Sequence, residues 1–443
     1  MKMNCSIRRV KNARYFIIVF MFLVKTAQAQ QVLTVEEAVS VALENNYEIK
    51  LAKNNLDINR TGVSLGNAGM LPQVEASITD NNNVQNLSQV RSDGSSVQRS
   101  NAKNNSLGYG VGLDLVLFDG FAMFARYEQL KKLEDLGEAE LNQAILDRVG
   151  DVMNTYYQLV QQKQELAALD STVVISQQRV GLAENRFTIG RASKLELLNA
   201  QVDLNTDRVL LSRQKELYAN TKTSLNQILA RDTQTDFTVI DAMIVDESLS
   251  LPQLETLAKE RNPDLLAELI NKRVAELELR RVRAARYPTI IGNTGYNFNE
   301  SESSLGFTTS SSARGFNYGF TASVNVFDGF NQKRVEDIAK IEIDNKSIVI
   351  AQQEQAIQAQ LEIAYQTYLT NVSLIAVEGN NETIAKENLD ITLEKYDIGT
   401  ITTLEFRTAQ LNYINAKVRF SEATYQAKLS EIFLKQLSGS LNL

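Results

Sequence analysis

Along two stretches of the chain, hydrophobic residues fall on every second position. Leu107, Tyr109, Val111, Leu113, Leu115 and Leu117 alternate with Gly108, Gly110, Gly112 and Asp114. Phe316, Tyr318, Phe320, Ala322, Val324 and Val326 alternate with Asn317, Gly319, Thr321, Ser323 and Asn325. A period of two predicts strands with one apolar face and one polar or glycine face. Weaker partners precede them: Val74, Ala76 and Ile78 in the first stretch, and Ile290, Tyr296 and Phe298 in the second. Each strand is expected to run ~10–12 residues, the length that crosses a tilted bilayer path. Aromatic residues near the strand ends suit interfacial girdles. The Ser-, Asn- and Gly-rich segments from about Asn82 to Ser106 and Asn299 to Arg314 read as extracellular loops. A soluble sheet buried on one face would alternate in the same way.

Elsewhere the period is helical. Ile145, Val152, Leu159, Leu166, Val173, Val180 and Phe187 recur every seven residues, with Leu146, Met153, Val160, Ala167 and Val174 beside them. No proline interrupts residues 121–188, which predicts one helix of ~100 Å at 1.5 Å per residue. Leu361, Tyr368, Ile375, Leu389 and Tyr396 repeat the line later, with Glu382 interrupting it. Shorter helices are expected from about Val35 to Ala68 and Ser193 to Ala230, and their summed length nearly matches the long one.

The two halves are copies of one pattern. Leu117-Phe118-Asp119-Gly120-Phe121 returns 209 residues later as Val326-Phe327-Asp328-Gly329-Phe330. At the same offset Tyr156 falls on Tyr365, Gly190 on Gly399, Glu196 on Glu405 and Gln201 on Gln410. Upstream, Asn46 matches Asn262 and Pro72 matches Pro288 at an offset of 216. Repeat one is expected over residues 30–231: a helix, a hairpin at about 73–118, a long helix 121–188 and a helix 193–230. A linker over 232–251 holds a short strand, Phe237-Thr238-Val239-Ile240. Repeat two covers 252–443: a helix opening at Pro252, a hairpin at about 289–327, a long helix 330–397 and a helix 402–438. At the strand-to-helix junctions, Asp119 and Asp328 are expected to cap the helix, and Gly120 and Gly329 to permit the sharp turn.

The N-terminus changes where this chain is expected to reside. Lys2, Arg8, Arg9, Lys11 and Arg14 precede the apolar run Tyr15–Val24, and Ala27-Gln28-Ala29 follows. That order predicts a signal peptide over residues 1–29, too short in its apolar part to span a bilayer. Cleavage would remove Cys5, the only cysteine, and would carry the formal charge from −7 to −13. So acidic a chain is not expected to bind nucleic acid. With no His in the chain, neither a His-based triad nor an ordinary zinc site is available. Gly108-x-Gly110-x-Gly112 is a strand face, and no phosphate-binding loop is found. No cofactor, metal or enzymatic activity is expected, and any transport needs energy from a partner.

Four strands cannot close a barrel, and an open edge in lipid leaves backbone groups unpaired at several kcal/mol each. The protomer is therefore expected to share a barrel with copies of itself. A secreted coiled-coil structural or adhesive protein explains the heptads equally well, but not strands feeding helices through Phe-Asp-Gly.

These features together resemble the TolC-type outer-membrane efflux and secretion proteins. The resemblance rests on the duplication, Asn262-Pro263, Leu71-Pro72, Tyr287-Pro288, the two Phe-Asp-Gly elements, the Tyr396-x-x-Gly399-x-x-x-x-Leu404-Glu405 turn and the ending Leu437-Ser438-Gly439-Ser440-Leu441. It covers nearly all of the chain beyond the signal. It implies a mixed α and transmembrane β fold: a homotrimer with a twelve-stranded barrel in outer-membrane lipid and long coiled-coil helices forming a periplasmic tunnel. It implies a passive export channel of a tripartite efflux pump or type I secretion system, with an inner-membrane transporter and a periplasmic adaptor as partners. The helix turns at Gly190 and Gly399 would meet those partners. By the same resemblance Glu196, Tyr396 and Glu405 fall at a closable aperture. Ile401 and Thr408 replace an Arg and an Asp of the family pattern, which leaves Arg191, Lys194 or Arg407 as candidate positive partners.

Overall fold

The structure is a computed structural model and describes residues 31–304 and 308–441. The expected signal peptide, with Cys5, lies outside the described residues. The chain divides into two compact units.

One unit holds residues 31–51, 143–262 and 356–441. It contains β1 (Gln31–Leu33), α1 (Val35–Asn45) and the start of α2 (Tyr47–Gly62), most of α3 (Ala122–Thr188), and all of α4 (Lys194–Ile228). It also contains β4 (Phe237–Val239) and α5 (Leu251–Arg261). β1 pairs with β4 in parallel, Leu33 opposite Val239. Leu33, Val152, Leu159, Leu225, Phe237 and Ile432 form its main core. Val152 and Leu159 belong to the seven-residue line, so the heptad stripe is a core-facing stripe here.

The duplication survives as hydrogen bonds. Tyr156 donates to the Leu33 carbonyl at 2.9 Å, and Tyr365 donates to the Leu249 carbonyl at 3.2 Å. Each carbonyl immediately precedes the N-cap of its repeat's first helix, Thr34 or Ser250. Asn46 donates to the Ile228 carbonyl at 2.8 Å, and Asn262 to the Leu437 carbonyl at 2.9 Å. Both amides satisfy carbonyls in the last turn of their repeat's last helix, which have no intrahelical donor.

Asn46 also corrects the single helix expected from Val35 to Ala68. The side-chain oxygen of Asn46 accepts from the Glu48 and Ile49 amides at 2.8 and 3.3 Å. It ends α1 and caps α2, so the chain breaks and restarts there. In repeat two, Asn262 ends α5 and Pro263 opens α6 (Pro263–Ala284), a position where its missing N–H costs nothing.

The second unit holds residues 52–142 and 263–355. It contains α6, the opening turns of α3 and of α7 (Asn331–Asp397), and a four-stranded antiparallel sheet. Its strands are β2 (Gln73–Val90), β3 (Ser96–Phe118), β5 (Thr289–Ser303) and β6 (Ser310–Ser323), in the order β2-β3-β5-β6. The register aligns side chains by type. Ala76, Val111, Tyr296 and Phe316 stand in one row, and Ile78, Tyr109 and Phe298 in the next, which ends on Arg314 of β6. Tyr109 stacks on Phe298 with ring centroids 4.9 Å apart. On the other face Glu75, Gly112, Gly295 and Asn317 form a row, and Ser77, Gly110, Asn297 and Gly315 another. Gly110 is required where it stands, because an added Cβ would lie 2.7 Å from the Tyr296 carbonyl. β2 and β6 are edge strands, unpaired on their outer sides among the described residues.

The expected loops are mostly strand. β2 and β3 continue pairing as far as Val90 and Ser96, leaving only residues 91–95 as the turn. Asp93 accepts from the Ser95 amide at 2.9 Å, and Gly94 has φ of 82°. Backbone pairing carries this hairpin through Asn- and Ser-rich sequence of low β-propensity. β6, by contrast, stops at Ser323, four residues before the expected end at 327, so Val324 and Val326 lie outside the strand.

At the junctions Asp119 accepts from the Met123 amide at 2.8 Å, and Asp328 from the Gln332 amide at 2.7 Å. The reversal needs two left-handed residues in each repeat: Gly120 and Phe121 at φ of 71° and 70°, Gly329 and Phe330 at 68° and 66°. Phe121 and Phe330 therefore precede their helices rather than opening them. Edge-to-face contacts of Phe121 with Phe118 and of Phe330 with Phe327 accompany this strained backbone.

Candidate functional site

The helix turns are built alike. After α3, the Gly190 amide donates to the Phe187 carbonyl and the Arg191 amide to the Arg186 carbonyl, at 3.0 and 2.8 Å. After α7, Gly399 and Thr400 donate to Tyr396 and Lys395, both at 3.0 Å. This pattern needs a left-handed residue at its centre, and Gly190 and Gly399 supply φ of 75° and 79°. Ser193 and Thr402 then cap α4 and α8 (Thr403–Leu437).

Glu196 and Glu405 occupy equivalent third positions of those helices but do different things. Glu405 turns back on its own N-cap, accepting from the Thr402 amide at 2.8 Å and from its hydroxyl at 3.1 Å. The amide bond first and the hydroxyl second hold its carboxyl below the ordinary carboxylate range. Glu196 instead reaches across to repeat two, accepting from the Thr403 hydroxyl at 2.7 Å. The Arg186 guanidinium lies 3.9 Å from it. Arg186 also donates to the Tyr396 carbonyl at 2.5 Å and sits over the Tyr396 ring, 4.6 Å from its centroid. Tyr396 stacks in turn on Phe406 at 5.0 Å. Arg186 was not among the expected site residues. Its counterpart at the repeat offset is Lys395, so the duplication does not single it out.

One turn into α8, Arg407 is buried and grips Asp207 of α4 through two nitrogens at 2.8 Å. Ser176 donates to Asp207 at 2.5 Å, and Gln410 donates to Ser176 at 3.2 Å. Arg179, almost wholly buried, pairs with Asp203. Arg407 is thus an interior tie between repeats rather than an exposed partner for Glu196 or Glu405. Thr408 donates to the Leu404 carbonyl of its own helix at 2.9 Å, and Arg191 is exposed at the turn. The structure therefore brings Glu196, Tyr396 and Thr403 together around Arg186, and leaves Arg191, Glu405 and Thr408 outside that cluster.

No helix among the described residues is long and apolar enough to cross a membrane. The sheet, apolar on one face and polar on the other, is a different kind of candidate for that task.

Comparison with known proteins agrees with this architecture. The chain is 22% identical to protein CyaE of Bordetella pertussis over 414 residues, covering 91% of this chain and 84% of that one. It is 21% identical to outer membrane protein TolC of Vibrio cholerae, covering 92% and 90%. The crystal structure of the Campylobacter jejuni CmeC outer membrane channel superimposes with a TM-score of 0.75 at 17% identity, covering 92% and 85%. That superposition shows the fold, helices and sheet alike. Residues 38–231 and 254–440, nearly the whole of both repeats, match the outer membrane efflux protein family, and the chain belongs to that family.

Proposed function

We propose that this outer-membrane protein is the passive duct of a tripartite efflux pump or type I secretion system. Three copies would close twelve strands into one barrel, with the helices forming a conduit through the periplasm. The observation that carries this reading is the four-stranded sheet itself: apolar on one face across its middle rows, lined with Gly, Asn and Ser on the other, and, among the described residues, unpaired on the outer sides of β2 and β6. Two copies would give eight strands, a barrel filled by side chains; three leave a lumen. A periplasmic adaptor and an inner-membrane transporter supply coupling and energy, for which this chain has no nucleotide-binding motif.

The turns at Gly190 and Gly399 form the periplasmic end. Glu196 held by Thr403 and Arg186, with Tyr396 packed beneath, is the closing contact of the aperture. Glu405, Arg191 and Thr408 border it, and Arg407 braces the helices behind it. Membrane fractionation tests the assembly. The expected result is an outer-membrane species, extracted only by detergent, that runs as a three-chain band unheated and as one chain after boiling. A water-soluble species of any size refutes it and returns the secreted coiled-coil alternative.

A further inference from the structure

The two strand-to-helix junctions differ in charge. Residues 280–286 and 328–340 of repeat two carry seven basic and three acidic side chains. Their counterparts in repeat one, residues 64–70 and 119–131, carry two of each. The excess of positive charge at one junction therefore does not come from the duplicated pattern, and it runs against a chain of formal charge −7. Packing gathers it in one place. Gln332, in the first turn of α7, donates through its side-chain amide to the Val282 carbonyl in the last turn of α6, at 2.7 Å. Arg286 donates to Glu336 at 2.6 Å, and Glu336 is buried. The other two acids of the junction are also engaged. Asp328 accepts from the Gln332 backbone amide, and Asp337 pairs with Lys340 at 2.7 Å. Arg280 and Arg281 pair with Glu128 and Glu278. Arg283, Lys333 and Arg334 remain. All three are exposed, and among the described residues none forms a salt bridge. Arg334 donates only to the neutral Asn331 side chain, at 2.8 Å.

Two of these three cations sit where the backbone opposes them. Lys333 and Arg334 occupy the first turn of α7, which holds no acidic residue. A helix N-terminus is the positive end of its dipole and favours anions. Two cations there raise the local potential further, and an anion from outside the chain relieves it. The same junction carries exposed apolar surface. β5 starts at Thr289, just after Arg286, and β6 ends at Ser323. Between β6 and α7, Val326, Phe327 and Phe330 are 90%, 73% and 71% exposed. Cations beside exposed aromatic rings at the end of a bilayer-spanning strand face the lipid headgroups.

We propose that Arg283, Lys333 and Arg334 bind the phosphate of an anionic phospholipid in the periplasmic leaflet of the outer membrane, with Phe327 and Phe330 against its acyl chains. This rests on the reading that the sheet spans that membrane with the helices on its periplasmic side. It adds a lipid class and a binding site, present in repeat two and absent from repeat one.

The test is native mass spectrometry of the full chain, purified from outer membranes in a nonionic detergent. It is titrated with phosphatidylglycerol, which is anionic, or with phosphatidylethanolamine of matched acyl chains, which is zwitterionic. The expected result is retention of phosphatidylglycerol at concentrations where phosphatidylethanolamine is not held. Lys333→Gln with Arg334→Gln should raise the phosphatidylglycerol concentration required roughly 30-fold, since each cation beside an anionic lipid contributes about five-fold. Lys333→Arg with Arg334→Lys keeps both charges and should keep the lipid, which separates lost charge from a folding fault. Arg126→Gln, at the junction of repeat one, should change nothing. Equal retention of the two lipids overturns the proposal, and so does equal weakening by Arg126→Gln or loss of the lipid in the charge-keeping variant. Displacement of the lipid by inorganic phosphate at the same concentration assigns the site to a free anion and overturns the lipid. Each of these results leaves the channel reading intact. A chain recovered from cells as a water-soluble species overturns both.

Discussion

Arg407 holds both carboxylate oxygens of Asp207, 200 residues earlier in the chain, and both side chains are nearly sealed from water. At the repeat offset their counterparts are Leu198 and Ala416, so this tie belongs to only one of the two possible pairings. Asp207→Ala leaves a buried guanidinium without its main counter-charge, a change that costs ~3–5 kcal/mol. Amide hydrogen exchange over residues 403–416 should accelerate accordingly. Replacing both members, as Asp207→Leu with Arg407→Met, should recover most of that loss, because no buried charge is then left unpaired. A double variant no more protected than Asp207→Ala would contradict this account of the tie.

The aperture prediction separates two carboxylates that the repeat treats as equals. Glu196 bridges to Thr403 of the other repeat, whereas Glu405 caps its own helix. Glu196→Ala and Thr403→Val should each raise single-channel current several-fold in planar bilayers. Glu405→Ala should chiefly weaken cation preference. Unchanged currents in Glu196→Ala would remove that residue from the gate.

The junction glycines should differ although both have positive φ. A Cβ on Gly120 would lie 2.3 Å from the Ala284 carbonyl, whereas one on Gly329 meets nothing within 4 Å. Gly329→Ala should cost only the left-handed backbone penalty, ~1–2 kcal/mol. Gly120→Ala adds a clash with main chain and should cost distinctly more. Thermal unfolding of the two variants compares them directly, and equal shifts in midpoint would show that the neighbouring backbone yields freely.

The linker after β4 should make stability depend on acid. Hydrogen bonds from the Ser248 hydroxyl and amide, and then from Lys435, bring Asp246 from its ordinary 3.8 down to about 2. A carboxylate with a depressed folded pKa favours the folded state above 3.8, and that contribution is lost as pH falls towards about 2. Asp246→Asn should flatten the acid side of the stability curve in that window. A variant with the same slope as the parent would assign the acid sensitivity elsewhere.

Legibility in the sequence followed the range of the interactions. The heptad of Val152 and Leu159, the alternation from Leu107 to Leu117, and Asp119 as a helix cap are local patterns, and the structure uses them as patterns. Asn46 was visible as a repeat match, but its side-chain cap on the Glu48 and Ile49 amides and its bond to the Ile228 carbonyl are contacts that periodicity does not reveal. The hairpin beyond Asp80 was hidden because Asn and Ser are poor strand formers until a partner strand pairs them. Phe121 and Phe330 adopt a backbone that their residue type disfavours, so composition points away from it. Arg186 and Asp207 lacked any signal, and Arg407 was legible only as a candidate aperture cation, since neither spacing nor repeat counterparts link it to Asp207.

The most direct test of the central claim is the current through single molecules of the purified protein reconstituted in a planar lipid bilayer. The account predicts discrete, long-lived conductance steps carried preferentially by cations. A protein that stays in water as a single chain and passes no current, its sheet edges satisfied without other copies, would contradict it.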